Sequence, residues 1–389
     1  MTSTFSDFAA RLREFIRDSM QRAATAPGFN DLALELFRLQ FAGNAAYRAL
    51  CEFRRINPDM ISDWQNIPAV PASAFKELEL TSLAPDERTT VFFSSGTTEQ
   101  KRSRHFHSVE SLAIYEASLL PWFERHLLRD LEVLVEEQLL GPIDKLPMLS
   151  LTPPRELAPN SSLVHMFDAA LREFGARDSL FVGGIDESGA WTIEMDRALF
   201  AIRKSMCANR PLVLLGTAFN FVQLVDHFAA NNMRYRLARG SRALETGGYK
   251  GRSREIPKAE LHTLISKHLG IARTHIVTEY GMSELSSQAY DCVVETSEAS
   301  APSQGTEEHR VLRFPAWARA QIISPESNLE VSDGETGLLR IVDLANVRSV
   351  MAIQTEDLAV RRGDVFELLG RATAAEARGC SLMSLGVPR

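Results

Sequence analysis

Cysteine is scarce in this chain. Its 389 residues include four, Cys51, Cys207, Cys292 and Cys380, and no two form a CxxC pair. That spacing supports neither a disulfide framework nor a thiolate zinc site. No apolar run comes near the ~18 residues a membrane-spanning helix requires. The opening residues, MTSTFSDFAARLREF, hold no apolar stretch and no cleavage signature, so no secretory leader is expected. Charge of one sign never accumulates: 43 Lys and Arg face 50 Asp and Glu, a net −7. Neither a nucleic-acid partner nor a membrane is therefore expected, and a cytoplasmic location is. The Walker pattern GxxxxGK[ST] is absent, and no internal repeat or low-complexity segment is visible.

What is present is enough apolar sequence, 45% of the chain, to build a large core without staples. Phe5, Phe8, Leu12, Phe15 and Ile16 recur at helical spacing, and further helices are expected over Asp31–Leu39 and Ala45–Phe53. Prolines 58, 68, 71 and 85 mark an irregular connection. Thr90–Phe93 reads as a strand that breaks into Ser94-Ser95-Gly96-Thr97-Thr98, followed by Lys101, Arg102 and Arg104. Such a loop is either an ordinary turn or a phosphate cradle with cations behind it. Ser108 has the character of a helix N-cap, with Pro121 expected to kink or end the helix that follows. Met148–Leu151 reads as a strand, Leu163–Phe174 as a helix and Gly183-Gly184 as a turn.

The middle of the chain alternates regularly. Strands are expected at Leu212–Leu215, Arg242–Glu245 and His275–Thr278, with helices over Phe219–Phe228 and Ile256–Leu269. Three strand–loop–helix units in a row imply an α/β layered fold, with ligands gathered at the carboxyl ends of the strands. The segments Ala316–Ile323, Thr336–Val342, Ala352–Ala359 and Asp364–Leu369 read as the short strands of a small β-subdomain near the C-terminus.

Four separated pieces occur in order: SSGTT with its basic follower, TGGYKG at 246–251, TEYGMSE at 278–284, and the GETGLLRI, TEDLA and ELLGRA segments between 334 and 372. In this order they resemble the adenylate-forming superfamily of acyl-CoA ligases, luciferases and adenylation domains. The resemblance implies activation of a carboxylate by ATP, with Mg2+, to an acyl-adenylate that passes its acyl group to a thiol. It also implies roles. Ser94, Ser95, Gly96, Thr97 and Thr98 would cradle phosphates, with Lys101 or Arg102 as the cation. Glu284 is a hard oxygen ligand suited to Mg2+. Gly247 and Gly248 allow close approach to an adenine, with Tyr249 or Tyr280 against its face and Gly281 beside it. Asp357 would accept from the ribose hydroxyls, and Arg371 falls in the Gly-Arg hinge.

The ending GRATAAEARGCSL resembles the acyl-protein synthetases of the LuxE type, the fatty-acid-activating subunit of the bioluminescence fatty acid reductase. The expected fold is then one adenylate-forming domain over 1–389: a helical region at 1–80, an α/β core at 81–292, and a β-subdomain with a tail at 293–389. The superfamily's mobile C-terminal lid is expected to be absent. Glu99 stands where the phosphate loop of the superfamily has glycine, and Thr373 near its hinge aspartate. The resemblance makes Cys380 the acceptor of the acyl group, which would pass on to a partner reductase or transferase. Arg378 nearby favours a thiolate and Gly379 gives the backbone freedom. Cys51, Cys207 and Cys292 read as structural.

Two other readings stay open at this point: a CoA or carrier-protein ligase related to phenylacetate-CoA ligase, and a non-catalytic nucleotide- or acyl-binding subunit. His105 and His107, two apart, would share one face of a strand. No third ligand accompanies them, and exposure to solvent is the expectation for His105.

Overall fold

The computed structural model describes residues 4–21, 28–94, 101–131, 145–247, 254, 256–291 and 310–372. The chain divides into two compact units. The first comprises Met1–Leu119, Met282–Ala289 and Val311–Arg389; the second comprises Leu120–Gly281 and Tyr290–Arg310.

The second unit is the α/β layer expected from the alternating pattern. Its sheet runs, in spatial order, Leu180–Phe181, Met148–Ser150, Val213–Thr217, Arg242–Thr246 and Ile276–Tyr280, and every pairing among these strands is parallel. A parallel strand covered on both faces favours a near-continuous apolar run, and Val213–Thr217 has one. Arg242–Thr246 and Ile276–Tyr280 are likewise buried at every position, although they carry Arg242, Glu245 and Glu279. Helices Ser162–Phe174, Met195–Cys207, Ala218–Ala230 and Lys258–Leu269 belong to the same unit. Phe221, Leu224, Val225 and Phe228 from one helix and Leu261, Ile265 and Leu269 from another share a core with Leu214, Ala243 and Ile276 of the sheet. Removing each such leucine or phenylalanine from water contributes roughly 2 kcal/mol.

Thr217 ends a strand and caps the next helix at once. Its hydroxyl accepts from the Asn220 amide nitrogen at 3.1 Å, and the Asn220 side chain accepts from the Thr217 amide at 3.1 Å. This reciprocal pair satisfies two orphan donors of the helix start. At the amino end of the sheet, Arg242 is fully buried and its guanidinium holds Asp130 at 2.5 Å and the Leu127 carbonyl at 2.5 Å. Gly183-Gly184 is not the expected turn; it begins a strand, Gly183–Ile185, paired with Trp191–Ile193. The reason for glycine is crowding rather than a turn, since a Cβ on Gly183 would lie 2.1 Å from the Thr152 carbonyl carbon.

In the first unit, helices Phe5–Gln21, Phe29–Gly43 and Ala45–Phe53 bury Phe8, Leu12 and Ile16, then Leu36 and Phe37, then Tyr47 and Cys51. The expected β-rich segment is a mainly antiparallel sheet. Ala318–Ile323, Thr336–Asp343, Ala352–Arg362 and Val365–Arg371 pair in chain order. Val70–Pro71 joins the Ala352–Arg362 strand in parallel. Gln40, fully buried, ties a helix to this sheet: its side chain donates to the Asn346 carbonyl at 2.7 Å and accepts from the Met351 amide at 3.1 Å.

Thr90–Phe93 is a strand as expected, but its partner is one the sequence reading missed: Arg104–His107, antiparallel to it. The helix begun by Ser108 runs Val109–Leu127 and does not end at Pro121. Among the described residues, no helix is long and apolar enough to cross a membrane.

Candidate active site

The hairpin carries the first motif. Ser94 and Ser103 close it: the Ser94 amide donates to the Ser103 carbonyl at 3.3 Å, and the Ser94 hydroxyl oxygen accepts from the Ser103 amide at 2.9 Å. Ser95, Gly96, Thr97 and Thr98 lie outside the described residues. Lys101 and Arg102 are both exposed. Lys101 Nζ sits 2.6 Å from a Glu77 carboxylate oxygen, with both side chains more than half exposed. An ion pair in that setting is weak. Arg104 bonds Glu79 at 3.3 Å.

The strand behind the loop overturns one expectation. His105 and His107 are not exposed; both are 2% accessible. Strand alternation places them on the inner face, with ring centroids 4.2 Å apart. Burial pushes the His105 imidazole down to about 4, so the ring is neutral at physiological pH. Its Nδ1–H donates to the Ser283 carbonyl at 2.9 Å. That bond ties the hairpin to the third motif, one residue from Glu284. Glu284 is itself 5% exposed, and its carboxylate accepts from the Ser283 hydroxyl at 2.9 Å. Mg2+ commonly takes one or two carboxylates and completes its shell with phosphate oxygens and water. A single oriented carboxylate, next to the residue that His105 of the hairpin bonds, fits that donor set. Among the described residues no group of three metal-ligating side chains occurs.

Also in the first unit, Asp357 and Arg371 stand opposite one another on paired strands, with Arg371 Nε 3.8 Å from the Asp357 carboxylate. Arg371 is largely exposed and Asp357 mostly buried.

The second unit holds the remaining candidates at the carboxyl ends of its strands. Gly247 follows the Arg242–Thr246 strand with φ +68°, a left-handed conformation, and none of the described residues lies within 4 Å of where its Cβ would be. Glycine is there for the backbone turn, not for want of space. Gly248 and Tyr249 lie outside the described residues. Tyr280 ends its strand almost buried, at 9% exposure, while Gly281 is exposed.

The same edge carries a buried acidic pair that motif reading passed over. Glu245 and Glu279 are 1% and 5% exposed. Thr246 donates its hydroxyl to Glu279. Glu245 accepts from Thr278 Oγ1 at 3.0 Å, with Lys258 and His262 at 3.8 and 3.5 Å. Burial raises Glu279 to about 7, and the neighbouring Glu245 charge adds to the rise. Glu245 moves the other way: burial opposes its ionisation, but Lys258, His262 and Thr278 together lower its pKa. One member of the pair is thus held charged and the other tends to keep its proton.

Of the cysteines, Cys51 is buried, and burial pushes its thiol up to about 11. Cys207 departs from the structural reading, being exposed at the end of its helix. Cys292 and Cys380 lie outside the described residues.

Comparison with known proteins shows which solved structures share this architecture. The chain shares its fold with 2-hydroxyisobutyryl-CoA ligase, solved with 2-HIB-AMP and CoA: TM-score 0.60, 11% identity, 90% of this chain and 73% of that one. The postadenylation form of the same enzyme gives TM-score 0.58 at 12% identity, over 90% and 72% of the two chains. ATP-bound MatB from Rhodopseudomonas palustris is more distant, at TM-score 0.44 and 15% identity; the match covers 75% of this chain and about half, 49%, of that one. At 11% and 12% identity the two likenesses to 2-hydroxyisobutyryl-CoA ligase show the fold alone. The model of the family "Acyl-protein synthetase, LuxE" matches residues 19–385, and the chain belongs to that family. Its similarity to the long-chain-fatty-acid–luciferin-component ligase of Aliivibrio fischeri agrees: 20% identity over 379 residues, 92% of this chain and 87% of that one.

Proposed function

We propose that this protein is an ATP-dependent acid:protein ligase acting on a fatty acid in the cytoplasm. A carboxylate oxygen attacks the α-phosphorus of ATP, the bond to the β-phosphate oxygen breaks, and pyrophosphate leaves. The Cys380 thiolate then attacks the acyl carbon, forming a thioester as the bond to the AMP oxygen breaks. The acyl group passes from Cys380 to a partner reductase or transferase. Membership of the LuxE family supports this order of events.

The observation that carries the reading is the His105–Ser283 hydrogen bond. It holds the strand behind the phosphate loop against the segment bearing Glu284, so two motifs far apart in sequence meet. Lys101 and Arg102, exposed beside the loop, supply mobile positive charge for the pyrophosphate end. Glu284 would hold Mg2+, which supplies charge neutralisation for the phosphates. In the second unit, Gly247, Gly248 and either Tyr249 or Tyr280 are the candidates for adenine; in the first, Asp357 is the candidate for a ribose, with Arg371 opposite it on the paired strand.

Incubation with ATP, Mg2+ and a panel of labelled acids tests this. Acid-dependent pyrophosphate exchange and a hydroxylamine-labile protein adduct are expected for at least one fatty acid. Cys380→Ser should keep the exchange and lose the adduct. An adduct that persists in Cys380→Ser removes the cysteine from the mechanism. Absence of exchange with every acid removes adenylation. Acyl-CoA formed on adding CoA, with Cys380→Ser fully active, selects a CoA ligase instead.

A further inference from the structure

Glu284 belongs to a buried segment that is bonded from several sides. Ser283, Glu284, Leu285, Ser286, Ser287 and Gln288 are all buried. Polar backbone in such a place must find protein partners, and here they come from three separate elements of the same unit. The hairpin strand gives His105, which donates to the Ser283 carbonyl. The turn after the Thr336–Asp343 strand gives Asn346, whose Nδ2 donates to the Glu284 carbonyl at 2.9 Å and to the Val350 carbonyl at 3.1 Å. The end of that strand gives Asp343, fully buried. One Asp343 oxygen accepts from the Ser286 amide at 2.9 Å; the other accepts from the Ser287 hydroxyl at 2.7 Å and the Ala345 amide at 2.9 Å. The Ser287 hydroxyl meets Ser118 at 2.9 Å, and Ser118 accepts from Trp317 Nε1 at 2.7 Å.

The Ser283 hydroxyl donates to the Glu284 carboxylate itself, whereas His105, Asn346 and Asp343 fix the peptide on either side of it. From this we infer that Asp343, with Asn346 and His105, is a positioning residue that sets the Glu284 carboxylate for a phosphate-bound divalent cation. The inference rests on the reading of Glu284 as the metal carboxylate. The chemistry of Asp343 makes it the most demanding member. It accepts three hydrogen bonds with two oxygens, and an asparagine in its place turns one acceptor into a donor that faces a donor. Residues that orient metal ligands typically govern metal affinity by 10–100-fold when replaced.

The test is a binding measurement on the full chain. ATP is titrated calorimetrically with and without Mg2+, and the gain in affinity caused by Mg2+ is the readout. Glu284→Gln should abolish the gain. Asp343→Asn should cut it by about tenfold or more while leaving metal-free ATP affinity unchanged. Ser287→Ala, which removes one hydroxyl from the network, is the milder variant should Asp343→Asn fail to fold, and a severalfold cut is expected. A gain that survives Glu284→Gln overturns the metal assignment. A gain lost in Glu284→Gln but intact in folded Asp343→Asn, or in Ser287→Ala where the former does not fold, overturns the positioning role.

Discussion

Replacing Glu279 by glutamine isolates the proton that burial forces onto this side chain. Its carboxyl is raised from 4.5 to about 7, first because it is buried and then because Glu245 is near. Below pH 4.5 the group is protonated in both folded and unfolded chains and adds no pH dependence. Between 4.5 and about 7 the folded chain keeps the proton that the unfolded chain has released, so stability falls as pH rises. Above about 7 the folded carboxyl is ionised too, and the full cost is present. At about 1.4 kcal/mol per pH unit, a rise from 4.5 to about 7 makes that cost roughly 3 kcal/mol. Glutamine imitates the protonated acid and still accepts from the Thr246 hydroxyl. Urea unfolding followed by circular dichroism at pH 5, 6, 7 and 8 reads the effect. The stability of Glu279→Gln relative to the native chain should climb across the series and level off near pH 8, at up to about 3 kcal/mol. Glu245, whose pKa is lowered, changes its contribution below this range and is common to both proteins. A difference that is flat with pH would refute the argument, because a lost contact or a packing change carries no proton.

Other outcomes follow from the same geometry. Asp130→Ala leaves the fully buried Arg242 guanidinium uncompensated and should cost about 3–5 kcal/mol in unfolding free energy, whereas an exposed pair costs little. Glu77→Ala, breaking the exposed pair with Lys101, should change stability by less than about 0.5 kcal/mol. Lys101→Ala with Arg102→Ala should abolish acid-dependent pyrophosphate exchange while leaving the unfolding midpoint in place; a nearly unchanged rate would show that other cations carry the phosphate charge.

The fold was most legible where one residue type served one purpose. Thr90–Phe93 and Ala45–Phe53 have the bounds the pattern predicts, and the central strand Val213–Thr217 announces itself as an apolar run ending in glycine and threonine. Arg104–His107 did not, for a physical reason. Its inward residues are histidines, polar in the unfolded chain, and burial keeps the His105 ring neutral. Its outward Phe106 carries the Arg88 guanidinium 4.6 Å above its ring. Alternation is present, but with the usual chemistry of the two faces reversed. The supports of Glu284 were invisible for a different reason: Asp343 meets Ser287 across 56 positions, and nothing local marks an aspartate that serves a distant turn. The raised carboxyl of Glu279 likewise owes part of its shift, after burial, to Glu245, 34 positions earlier on a neighbouring strand. The motif order therefore identified candidates, while their supports came only from the tertiary structure.

Thr217 joins the Val213–Thr217 strand to the Ala218–Ala230 helix with no residue between them. Each residue turns an α-helix by about 100°. One residue inserted at this junction would swing Phe221, Leu224, Val225 and Phe228 a quarter-turn away from the sheet they cover. The junction therefore admits substitution but not lengthening. Among relatives of this chain it should serve as a fixed ruler mark, with length changes accumulating on either side of the strand–helix pair and never within it.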